Sequence, residues 1–83
     1  MKRNIHDRNY LELLGENIRI CRQKKRYSQE KLAFLSGLHR TYIGAVERGE
    51  KNITVLNLHK IALSLNVTAS DLLNFNIKGD INE

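Results

Sequence analysis

SQEKLAFLSGLHRTYIGAVERG, residues 28–49, reads as two short helices joined by a tight turn. Ser28 is placed to cap the first helix, expected over residues 29–36, because its hydroxyl can accept a backbone N–H of the first turn. Lys31 stands where a capping box would need an acid or amide, so no box is expected. Leu32 and Ala33 face inward, and Gly37 closes the helix in a left-handed conformation that glycine adopts without strain. Leu38 and His39 lead into the second helix, expected over residues 40–48 and ended by Gly49.

The rest of the chain follows from this centre. Upstream, Leu11, Leu14, Ile18 and Cys21 recur at helical spacing and predict a helix over about residues 10–26. Its closing run Lys24-Lys25-Arg26 suits a carboxyl terminus electrostatically. Downstream, Thr54 can cap a helix over residues 55–65. Asn66 and Val67 break it, and Thr68 or Ser70 starts a short fifth helix through Leu73. The 83 residues contain no proline and 6% aromatics, with no repeat or linker. These features predict one all-α domain of five helices over 1–83, with its core at about 10–73 and a tail at 74–83. A chain of this size buries only a modest core, and pairing with a copy of itself would add to it.

Several function classes lack their residues. No apolar run is long enough for a membrane span. The amino-terminal segment MKRNIHDRNY is too polar for a secretory signal, so a cytoplasmic protein is expected. Cys21 is the one cysteine, and His6, His39 and His59 share no ligand spacing, so neither a disulfide nor a metal site is expected. A glycine-rich phosphate loop, paired catalytic carboxylates and a nucleophile elbow are all missing. No enzyme and no cofactor are expected.

Charge is unevenly placed. Residues 1–51 carry twelve Lys/Arg against six Asp/Glu, whereas residues 52–83 carry two against three. A basic first part and a near-neutral, apolar last part point to a polyanion surface and a self-association surface respectively.

Two helices joined by a short glycine turn can present the second one to the major groove of double-stranded DNA. On a wheel of 100° per residue, Ile43 and Val46 face in while Thr41, Ala45 and Arg48 face out beside Gly44. Two tiny residues on an outward face would permit close approach to DNA. Arg40, at the amino end, suits bidentate contact with guanine, and Thr41 can offer a methyl to thymine. Tyr42 at the edge could reach backbone or base. Gln29, at the amino end of its helix, is a phosphate candidate, as are His39, Arg48, Lys51 and Asn52.

The strings SQEKLA, SGLHRTYIGAVERG and LNLHKIALSLNV resemble the phage-repressor-like (Cro/cI, or Xre) helix-turn-helix family over about residues 14–73. The resemblance implies a compact five-helix, lambda-repressor-like DNA-binding fold. It also implies a scaffold ion pair between Arg22 and Glu47, a phosphate clamp at Gln29, and base-reading positions at Arg40, Thr41 and Ala45. Many members carry glutamine at the first of these, so Arg40 implies a different preferred base. Size and the string HRTYIGAVERGEKN look most like controller proteins of restriction–modification systems, which activate and then repress their own operon. RNA polymerase is a partner this would imply.

The fourth helix has apolar residues on two sides. Leu58, Ile61, Ala62 and Leu65 form one stripe. Leu56 and Leu63 lie roughly 140–160° from Leu58. With Leu72, Leu73, Phe75, Ile77 and Ile81 they predict a two-fold homodimer surface. A general phage- or plasmid-type repressor, or an antitoxin-like protein-interaction module, would use the same fold.

Overall fold

A computed structural model describes residues 4–75 of the chain, with side chains from residue 9 onward. Its helices are α1 (Asn4–Lys24), α2 (Gln29–Ser36), α3 (Arg40–Glu47), α4 (Val55–Leu65) and α5 (Ala69–Leu72). No strand occurs among the described residues. The positions expected at Ile77 and Ile81, and the tail beyond residue 75, lie outside them.

The starts of α2, α4 and α5 have local causes. Ser28 Oγ accepts the Lys31 N–H at 2.9 Å, and Thr54 Oγ1 accepts that of Asn57 at 3.1 Å. Thr68 Oγ1 accepts the Asp71 N–H at 3.0 Å, and the Asp71 carboxylate accepts the Thr68 N–H at 2.9 Å. That reciprocal box fixes the start of α5 at Thr68 rather than Ser70. The Thr68 backbone N–H, followed by its hydroxyl, holds the Asp71 carboxyl below its ordinary range.

Helix ends are as specific. Gly37 adopts φ 74° and, with Leu38, returns its N–H to the Ala33 carbonyl. Arg26 stands at φ 63°, and the Tyr27 N–H returns to the Arg22 carbonyl at 3.1 Å. This turn ends α1 at Lys24, two residues before the expected boundary. At its other end α1 begins six residues earlier than expected. The apolar stripe starts at Leu11, but helix propagation needs no buried face, and no glycine or proline interrupts residues 4–10.

The core joins α1 through Leu14 and Ile18, α2 through Leu32 and Ala33, and α3 through Ile43 and Val46. From the other side, α4 supplies Leu58, Ile61, Ala62 and Leu65, and α5 supplies Leu72. Cys21, Leu38, Tyr42 and Phe75 pack against it half-buried. Asn17 Nδ2 donates to the Leu72 carbonyl at 2.8 Å and so ties α1 to α5. Full burial of a side chain such as Ile18 or Leu65 contributes about 1.5–3 kcal/mol.

The crossing of α1 over α3 depends on Gly15. A Cβ there would stand 2.4 Å from the Val46 carbonyl oxygen and 2.5 Å from that of Glu47. Both are backbone atoms, so relief requires moving a helix. In an open helix Gly→Ala would be favourable by ~1 kcal/mol. Here Gly15→Ala is expected to destabilise by roughly 1–3 kcal/mol through overpacking. The thermal midpoint should fall by about 5–20 °C in a melting experiment.

Candidate nucleic-acid interface

An eight-residue helix cannot hold its own orientation, and the structure supplies the missing restraint at its carboxyl end. Arg22 of α1 donates from Nε to Glu47 Oε2 at 2.7 Å and from Nη2 to Oε1 at 3.0 Å. The side chains are 11% and 3% exposed. Arg22 Nη1 also donates to the Tyr27 carbonyl at 2.8 Å, and Gln29 Nε2 donates to Glu47 Oε1 at 3.0 Å. The Arg22–Glu47 pair therefore binds α1, the turn before α2, the start of α2 and α3 together.

The amino end of α3 is capped by His39, whose Nδ1 accepts the Thr41 N–H at 3.1 Å. Arg40 and Thr41 follow, both exposed. Arg40 Nε lies 2.9 Å from Glu30 Oε2 of α2. The Glu30 carboxyl is held below its ordinary range, first by its own backbone N–H and then by the Arg40 charge. Arg48 is exposed beyond the helix, with Nε donating to Glu50 Oε2 at 3.0 Å, and Lys51 and Asn52 are exposed after it. Arg40, Thr41, His39, Arg48, Lys51 and Asn52 thus stand open to solvent along α3 and the segment after it.

Other expected residues are placed differently. Ala45 is not on the outward face: it is 8% exposed. The chain leaving α3 turns back there, bonding the Glu50 N–H to the Ala45 carbonyl at 2.9 Å. Gly44 is buried as well, because a Cβ on it would meet Arg48 Nη1 at 3.3 Å and Gln29 Oε1 at 3.7 Å. Its smallness makes room for protein side chains. Tyr42 packs half-buried on the core, and its hydroxyl accepts from Asn57 Nδ2 at 3.2 Å. Gln29 is half-buried with its amide turned to Glu47.

Away from α3, Leu56 and Leu63 of α4 are 61% and 65% exposed. Phe75, expected beside them, instead packs on its own chain's core. It meets Tyr10 edge-on, with ring centroids 5.1 Å apart. Gly15, Glu30 and the Asn57–Tyr42 bond escaped the sequence reading. Only Glu30 left a trace, as an acid in a basic stretch. Among the described residues no helix is long and apolar enough to cross a membrane.

A family model described as Helix-turn-helix (HTH_3) matches residues 18–72. The control protein C.SmaI of Serratia marcescens is 52% identical over 62 residues, spanning 75% of this chain and 74% of that protein. The control protein C.BamHI of Bacillus amyloliquefaciens is 46% identical over 69 residues, spanning 82% and 85%. The crystal structure of the restriction–modification controller protein C.AhdI from Aeromonas hydrophila is similar at TM-score 0.74 and 45% identity. That likeness covers 75% of this chain and 94% of the other.

The Arg22–Glu47 geometry has a measurable consequence. Arg22→Ala leaves a buried carboxylate without its cation and should destabilise by about 3–5 kcal/mol in chemical denaturation. Arg22→Met combined with Glu47→Leu removes both charges and should recover most of that loss. A single-variant loss below ~1 kcal/mol, the level of a surface pair, would contradict the structural role.

Proposed function

This chain belongs to the helix-turn-helix family, and we propose that it is the homodimeric controller of a restriction–modification operon. Members of this family are DNA-binding regulators of transcription rather than enzymes. The observation that carries the reading to particular residues is the pairing of a locked α3 with exposed Arg40 and Thr41 at its leading end. An α-helix fits the major groove, and residues near its amino end meet base edges. Arg40 would read guanine and Thr41 the neighbouring pair or a phosphate. His39, Arg48, Lys51 and Asn52 would hold phosphates. Gln29 would orient Glu47 and offer the amino terminus of α2 to the backbone.

Self-association is supported by Leu56 and Leu63, two large apolar side chains left open on α4 while the opposite face fills the core. A two-fold pair would set two copies of α3 about 34 Å apart, one turn of DNA, and call for a near-palindromic operator. Bound across or beside a promoter in the cytoplasm, the dimer would act on RNA polymerase by exclusion or by contact. The similarity to two control proteins favours a restriction–modification operon over a general repressor.

Selection of bound duplexes from a random pool tests the operator and its symmetry together, and a site without two-fold character would end the dimeric reading. On the selected operator, affinity of ~10⁻⁸ to 10⁻¹¹ M with a steep salt slope is expected. Arg40→Ala should cost ~1–3 kcal/mol and relax preference at one base pair, while Lys51→Ala weakens all sequences alike. Leu63→Glu should shift sedimentation at tens of micromolar towards monomer and weaken operator binding, leaving helical content intact. A wild-type chain that is strictly monomeric under the same conditions would count against the interface.

A further inference from the structure

The Glu30–Arg40 contact joins the first turn of α2 to the first residue of α3 across the turn between them. Its side chains are 67% and 55% exposed, and an ion pair so open to water contributes little to folding. The packing of α2 on α3 already rests on Leu32, Ala33, Ile43 and Val46. What the contact does is choose one arrangement for a long, flexible side chain. The Glu30 carboxylate is ionised beside the Arg40 charge, which helps hold its pKa below the ordinary range. The two side chains approach with Arg40 Nε 2.9 Å from Glu30 Oε2.

We propose that Glu30 is a positioning residue for base reading, holding the Arg40 guanidinium in the orientation in which it meets guanine. This rests on Arg40 contacting a base. A carboxylate beside a phosphate-binding rim repels every duplex alike, and so weakens binding without regard to sequence. Its return is discrimination: Arg40 reaches the groove already aimed, with less freedom to lose and less tolerance for a wrong base. Glu30 therefore trades general affinity for selectivity at one base pair.

The test is a double-mutant cycle on the full chain, read by fluorescence anisotropy. Wild type, Glu30→Ala, Arg40→Ala and the double variant are titrated with three duplexes. These are the selected operator, the same operator with the Arg40-read guanine changed to adenine, and a random sequence. Arg40→Ala should reduce the guanine preference by about 5- to 150-fold. Glu30→Ala should reduce the same preference by roughly 3- to 10-fold while binding the random duplex as tightly or more tightly. In the Arg40→Ala background, Glu30→Ala should leave the preference unchanged. Glu30→Gln, which keeps an acceptor near Nε, should fall between wild type and Glu30→Ala. Equal tightening on all three duplexes, with the preference intact, overturns the proposal and leaves Glu30 as a repulsive charge only. If Arg40→Ala itself leaves the preference intact, the base-contact reading is what fails, and Glu30 has nothing to position. Thermal melting of each variant separates these outcomes from misfolding, since both residues are exposed.

Discussion

One buried carboxylate decides where α3 points. Glu47 accepts from two nitrogens of Arg22 and from the Gln29 amide, and Arg22 spends its remaining arm on the Tyr27 carbonyl. A buried ion pair gives little net stability over an apolar replacement, because desolvation offsets most of the attraction. What it gives here is direction. Apolar contacts at Ile43 and Val46 hold α3 against the body but tolerate rotation and sliding. A planar guanidinium fork on a carboxylate tolerates neither. The residues at the leading end of α3 inherit their placement from a contact at its trailing end.

Small residues serve that contact from the inside. Gly15 lets α1 approach the carbonyls of Val46 and Glu47, which brings Arg22, two turns further along α1, within reach of Glu47. Gly44 leaves space for the side chains of Gln29 and Arg48. Ala45 is buried as well, at 8% exposure. The close approach that tiny residues permit is thus spent between parts of the protein. The open part of α3 narrows to Arg40 and Thr41, with Arg48 beyond its end.

Much of this was legible in the sequence wherever a local rule sufficed. Ser28, Gly37 and Thr54 announced their boundaries because capping depends on residues within one turn. The stripe Leu58, Ile61, Ala62 and Leu65 followed from helical period. The failures share another cause. Placing Ala45 outward relied on a wheel that treats a helix as having one neighbour on one side, whereas α3 packs against both α1 and α2. Glu30 meets Arg40 across a turn, Asn57 meets Tyr42 between helices, and Gly15 faces carbonyls more than thirty residues away. No short-range pattern encodes such meetings. The start of α1 was misplaced for a related reason, since the stripe shows where a helix is buried and not where it begins.

The narrowness of the open face bears on assembly. On the proposed reading one protomer commits Arg40 and Thr41 to bases, and each good contact discriminates by ~1–3 kcal/mol. Two such contacts supply roughly 2–6 kcal/mol. Competition from about 10⁶ non-specific sites requires about 8 kcal/mol before a single operator is favoured. A lone protomer falls short, whereas two acting as a unit reach ~4–12 kcal/mol. The exposed leucines of α4 and the sparse reading face of α3 then answer the same requirement from two successive helices. Leaving Leu56 and Leu63 in water weakens the isolated protomer's case for solubility, but covering them doubles the number of bases that must match.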